Sequence, residues 1–189
     1  FSAQQFCQWF DLDHITPSAA QFNPEKLDWL NAHYLKQADN GYLAEKVAER
    51  LAARALALGD AAPLTTIVGA YKERVVTLNQ LTDAVAIFHG ALQPPADLVN
   101  KYLTEAARPA LREFTRRLAD VAWETAAIGA LIKDCVARSG IRMPQLAMPL
   151  RVLLTGQEQT PSVDVLLTLF ARQTALQRLA MIASGEGPS

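Results

Sequence analysis

The chain has no long apolar run. No stretch approaches the ~20 residues that a bilayer-spanning helix needs, and no basic-then-apolar leader precedes the first polar residues. Cysteine is nearly missing: Cys7 and Cys135 stand far apart with no Cys-x-x-Cys partner, a usage that fits a reducing compartment and excludes a cysteine zinc site. His14, His33 and His89 lack metal-ligand spacing, so each is expected to be structural or exposed. Alternating polar–apolar runs and an Asn-Gly hairpin between β-branched runs are missing too, which excludes a β-rich fold. So are a Gly-rich phosphate loop and the His-x-Glu, His-Glu-x-x-His and Gly-x-Ser-x-Gly patterns. The carboxylate pairs Asp11/Asp13 and Glu45/Glu49 fall where a solvated face would put them, so nothing asks for catalysis. Charge of one sign is also lacking. With 18 Lys+Arg against 19 Asp+Glu, the chain is no indiscriminate nucleic-acid binder.

What remains is hydrophobic and helical. Half of the 189 residues are hydrophobic, enough for a core in one large or two small domains. Ser2 and Gln5 form a capping-box pattern that opens a short helix with Phe6, Trp9 and Phe10 on one face. Asp11 to Ala20, with Pro17, reads as a connector. Asn23 then caps a helix with Pro24 at its first position and Glu25 at the positive end of the dipole. Leu27, Leu30 and Tyr34 make one face, flanked by Trp29. On residue type alone, Trp29 and Leu30 read as core. This helix runs to about Gln37, with Asn40-Gly41 as the breaker.

Leu43, Val47 and Leu51 continue at four-residue steps in a helix ending at Gly59. Pro63 starts a helix through Ile67, Val68 and Tyr71. Thr77 and Gln80 box the start of another, through Leu81, Val85 and Phe88, ending at His89-Gly90. Gln93-Pro94-Pro95 is the internal boundary, because paired prolines exclude a continuing helix. Helical pattern resumes at Leu98 and again through Leu111, Phe114, Leu118 and Val121, with Pro109 starting or kinking it. A further helix starts near Thr125 and stops at Gly140. Residues Pro144 to Leu154 are helical in pattern, interrupted by Pro149. Thr160-Pro161 repeats the cap-then-proline signature before leucines at helical spacing from Val163 to Ala180. The expectation is an all-α fold in two helical subdomains, 1–93 (with 1–20 as lead-in) and 94–184, and a polar tail at 185–189. The first half, to Pro94, has seven Lys+Arg and ten Asp+Glu; the second has eleven and nine, mostly arginine among the cations. Arginine suits phosphates and base edges.

Three polar clusters interrupt this apolar pattern. Lys72-Glu73-Arg74 is either a cationic helix end matched to its dipole or a binding element. Arg151, within Met148-Pro149-Leu150-Arg151, either snorkels or pairs, or serves a site. Gln157-Glu158-Gln159-Thr160-Pro161 is either an ordinary helix–helix loop or part of that site.

In this order, these segments resemble the anticodon-binding region of bacterial glutamyl-tRNA synthetases. Phe22 to Asn31 matches Phe-x-x-x-Lys-Leu-x-Trp-x-Asn. Lys72 to Leu78 is similar to Lys-x-Arg-x-x-Thr-Leu, and Met148 to Gly156 is similar to Pro-Leu-Arg-x-x-Leu-Thr-Gly. The likeness covers roughly Phe1 to Ala180. It implies a helical module of the class I aminoacyl-tRNA synthetase type, in a cytoplasmic and monomeric protein whose partner is tRNA(Glu) rather than DNA or a membrane. It implies that Arg74 reads the third anticodon base and that Arg151, Thr160, Pro161 and Val163 line the pockets for the first two. Val163 stands where the family often has leucine, and Met143 where a small residue is usual. The family's ATP-binding signatures, His-Ile-Gly-His-like and Lys-Met-Ser-Lys-Ser-like, are absent here. A chain that opens on Phe1 is therefore expected to be a piece of a ligase that uses ATP and magnesium, cofactor-free and inactive alone. The alternative is a helical protein–protein scaffold whose arginines meet acidic partners without RNA.

Overall fold

The computed structural model describes residues 1–14 and 21–183. The Pro17 segment and the polar tail lie outside these residues. Among the described residues there are eleven α-helices and no strand.

Local chemistry places the first helices. In α1 (Ala3–Trp9) both capping-box bonds form: the Gln5 N–H donates to Ser2 Oγ at 3.2 Å and the Ser2 N–H to Gln5 Oε1 at 2.8 Å. A short 3-10 turn follows at Leu12–His14. In α2 (Pro24–Gln37), Asn23 Oδ1 accepts from the Lys26 N–H at 3.1 Å. The break after α2 falls one step earlier than Asn40-Gly41, because Asp39 caps the next helix. Its Oδ1 accepts from the Gly41 and Tyr42 N–H groups at 2.8 and 3.0 Å, so Asn40 and Gly41 lie inside α3 (Asn40–Ala53). That helix stops at Ala53 rather than Gly59. Ala55 takes φ +56°, a left-handed turn normally left to glycine, and the Leu56 N–H closes back on the Leu51 carbonyl at 3.0 Å.

The first half continues with α4 (Leu64–Tyr71), a 3-10 turn at Lys72–Arg74 and α5 (Leu78–Ala86). Helices α3, α4 and α5 pack on one another through Val47, Leu51, Ile67, Val68, Leu81 and Val85. The second half comprises α6 (Ala96–Tyr102), α7 (Ala107–Leu118), α8 (Thr125–Ser139), α9 (Met143–Thr155), α10 (Val163–Leu169) and α11 (Arg172–Ala183). Here α9 runs through the middle, against α6, α7, α8 and α11. Pro149 does not interrupt it. It deletes one bond toward the Gln145 carbonyl, but Leu146, Leu150 and Leu153 are buried and hold the helix through the gap. The leucine run after Val163 is two helices, broken where Phe170 goes extended (ψ 150°).

One expectation fails outright. Trp29 is 63% exposed, and Leu27 and Tyr34 are exposed with it; Leu35 is the one fully buried residue of α2. The helix meets the body chiefly at the Lys72–Arg74 turn, through its far end. The Trp29 ring lies instead on its own helix, stacked on His33 at 5.3 Å.

Candidate functional site

One cavity has walls from both halves. The first wall is the turn leaving α4. Of its three charged residues, Lys72 donates its Nζ to the Ala38 carbonyl at 2.9 Å, and Glu73 faces Lys36 at 3.9 Å. Both tie the turn to α2. Arg74 makes no hydrogen bond or ion pair with the described residues and is exposed. Beyond it the chain is pinned by Gln80, whose Oε1 accepts from the Val76 and Thr77 N–H groups at 2.8 and 3.2 Å. The cap of α5 therefore fixes the backbone that carries Arg74.

The second wall is α9 and the loop after it. Gly156 ends α9 at φ +68°, and a Cβ there would sit 3.2 Å from Pro95 Cδ, so this position needs glycine twice over. Thr155 Oγ1 accepts from the Gln157 N–H at 3.2 Å, which turns the loop back over the helix. Arg151 is half-buried. Its Nη1 donates to the Glu158 carbonyl at 3.4 Å, and its Nε is buried without a partner. Thr160, 7% exposed, does not cap α10: its hydroxyl donates to the Pro161 carbonyl at 2.8 Å, and Ser162 is the residue before the helix.

Arg74, Arg151 and Thr160 all line one cavity of about 620 Å³, within the ~300–1,000 Å³ span of ligand sites. Arg151 also borders a smaller space of about 200 Å³, and Val163 lines that one with Met143 and Lys133. Pro161 is buried and lines neither, though in the chain it stands between Thr160 on the larger space and Val163 on the smaller. The structure thus places Arg74, Thr160 and Val163 on spaces that Arg151 also lines, and Pro161 on neither.

Charge in the larger cavity is one-sided despite its carboxylates. Asp83 is paired with Arg54 at 2.6 Å. Glu158 accepts from Lys101 Nζ at 2.7 Å and from the Tyr102 hydroxyl, and these bonds hold its carboxyl below the usual range. Arg74 is left without a counter-charge. The cavity therefore presents guanidinium donors to whatever enters.

Tyr71 is a lining residue that the sequence did not reveal. It is 2% exposed, and its hydroxyl is buried without a partner. Burial pushes that phenol well above its ordinary pKa, while the neighbouring Arg74 charge pulls the other way. In sequence it reads only as the next apolar step after Ile67 and Val68. Among the described residues no three His, Cys, Asp or Glu side chains converge as a metal set, and no helix is long and apolar enough to cross a membrane.

A family model described as an anticodon binding domain matches residues 21–183. Glutamate–tRNA ligase of Azoarcus sp. is 50% identical over 95% of this chain, and that of Dechloromonas aromatica is 52% identical over the same share. The chain spans 38% and 39% of these two relatives' length. A crystal structure of a glutamate tRNA ligase from Elizabethkingia meningosepticum, in complex with its amino acid, superposes with a TM-score of 0.81 at 22% identity. The match covers 93% of this chain and 35% of that one, and it shows a shared fold.

Proposed function

Because this chain belongs to the family of anticodon-binding domains, we propose that it recognises the anticodon of tRNA(Glu) as the C-terminal part of a glutamate–tRNA ligase. The observation that carries this reading is the shared cavity with Arg74 and Arg151 on facing walls and its carboxylates already paired. Anticodon bases are unpaired and can be splayed from their stack, which opens their Watson–Crick edges to side chains. Cytosine offers O2 and N3 as acceptors to the two N–H donors of a guanidinium fork. Guanine at the same place turns its own N–H groups toward that fork and is rejected. Arg74 selects the third base in this way, and its unpaired state leaves the fork available. Arg151, which lines both spaces, serves the first two bases together with Thr160 and Val163, while Pro161 sets their separation.

The two halves act as subdomains meeting at Pro94–Pro95, with the cavity on their seam. In a cell the protein works as a cytoplasmic monomer. Joining glutamate to tRNA consumes ATP with magnesium, and this chain does not fit that chemistry. It has no nucleotide-binding signature and, among the described residues, no acidic cluster that would hold the metal. The chain alone is inactive in aminoacylation.

The test is binding of tRNA(Glu) transcripts with C or G at the third anticodon position by the wild-type chain and Arg74→Gln. A bidentate contact of this kind discriminates by ~1–3 kcal/mol, about 5- to 150-fold. The variant is expected to lose that preference while keeping most of its affinity. An unchanged preference for C removes Arg74 from its role.

A further inference from the structure

The last helix carries a guanidinium that lines neither cavity. Arg178 on α11 donates from Nη1 to the Leu154 carbonyl at 2.6 Å and from Nη2 to the Ile87 and Gly90 carbonyls at 2.7 and 2.8 Å. Its Cζ lies 4.9 Å from the centroid of the Phe170 ring. The three carbonyls belong to two helix ends that come from different halves of the chain. Ile87 and Gly90 follow the last turn of α5, and Leu154 is the next-to-last residue of α9. Carbonyls at helix ends lack internal donors and concentrate negative partial charge. One half-buried cation satisfies both ends at once. Its planar fork makes three bonds in fixed directions, which a lysine ammonium cannot reproduce.

Both elements also line the cavity. On α5, Asp83 and Ala84 line it within about one turn of Ile87, while Arg74 precedes the other end of the same helix; on α9, Leu154 is three residues past Arg151. Between Arg178 and the cavity the seam is filled by rings. Phe170 packs on Phe88 at 4.4 Å, and Phe88 meets Tyr71 edge-on at 5.8 Å. A backbone bond from the Ala62 N–H to the Leu169 carbonyl, 3.0 Å long, crosses between the halves as well.

We propose that Arg178 is a positioning residue that clamps the ends of α5 and α9 together and so sets the spacing of Arg74 and Arg151 across the cavity. The consequence for base selection rests on reading that cavity as the anticodon site; the clamp itself is measurable without RNA. Packed seams are rigid, and recognition by a guanidinium fork fails when the fork is displaced by about an ångström. Loss of the clamp therefore costs selectivity before it costs helix content.

The full 189-residue chain is spin-labelled at Glu45→Cys on α3 and Arg112→Cys on α7, both exposed positions, in a Cys7→Ser background. Pulsed electron resonance then gives the label–label distance distribution for Arg178, Arg178→Met and Arg178→Lys. The expected result is a broadened or shifted distribution for Arg178→Met, with helical circular dichroism retained. The third-position C-over-G preference should fall about tenfold in parallel. Arg178→Lys keeps a cation over Phe170 and should lie between the two; it also carries the test if Arg178→Met fails to fold. An unchanged distribution in the folded variants overturns the clamp whatever the RNA does. A changed distribution with an intact C-over-G preference overturns its link to recognition. A wild-type chain without base preference overturns the anticodon reading and leaves the distance result to decide the clamp.

Discussion

His89 sits where the first half turns toward the Pro94–Pro95 connector. Its Nδ1 accepts the Gly59 N–H at 3.2 Å, so the ring carries its proton on Nε2, which is buried without a partner. Burial holds its pKa below the ordinary histidine value. The folded state therefore resists the second proton more than the unfolded chain does. The stability from neutral His89 is fully present above the unfolded pKa of about 6.5 and is lost as pH falls from there toward the lowered folded value. Thermal midpoints should drop between about pH 7.5 and pH 5.5, and His89→Asn should flatten that slope. An asparagine carbonyl can still take the Gly59 N–H and does not titrate. At this scale the sequence pattern marked three polar clusters and left each open between a structural and a binding reading; Arg74, Arg151 and Thr160 were picked out within them by the family resemblance alone. Tyr71 was marked by neither. It extends the apolar pattern, and it lines the same cavity as Arg74 only because the turn after α4 brings the two to one wall.

Helix interiors were readable because the apolar spacing that marks them is also what buries them, as with Val47 and Leu51 or Ile128 and Leu131. Helix ends were read less well. An aspartate moved the start of α3, and an alanine took a glycine's place after α3. Phe170 went extended where leucine spacing alone ran on. Trp29 fails for a related reason. Residue type predicts burial only when another element arrives to cover the face, and α2 is covered chiefly at its far end. Gly156 shows the opposite case, an end whose chemistry is overdetermined. Gly156→Ala should lower stability by ~1–3 kcal/mol, combining the left-handed backbone and the overpacked contact with Pro95. Gly140 has φ +63° with nothing within 4 Å of a Cβ, so Gly140→Ala pays only the backbone part. Denaturant unfolding of the two variants should therefore separate them, Gly156→Ala being the less stable.

Across the whole molecule, the near-balance of charge conceals a local excess. Carboxylates at the cavity are paired with Arg54 and Lys101, so Arg74 faces outward uncompensated. Binding to tRNA should weaken by about tenfold from ~50 to ~200 mM salt if two or three phosphates of the unpaired loop are contacted. Filter binding or anisotropy across that range measures it; a scaffold that ignores RNA would show no binding at either end. The all-α architecture was legible from the sequence as a whole. The seam was not, because Arg178, Phe170, Phe88 and Tyr71 are scattered over a hundred residues and meet only when both halves close.

The placement of the three tryptophans gives the seam its own optical reporter. Trp9 and Trp29 lie in water, where a soluble quencher extinguishes their emission. Trp123 is half-buried, and its indole N–H donates to the Phe170 carbonyl at 3.1 Å, directly behind the ring that Arg178 covers. Light that survives quenching therefore comes chiefly from the junction of the two halves, and its colour follows the wetting of that junction with no label added.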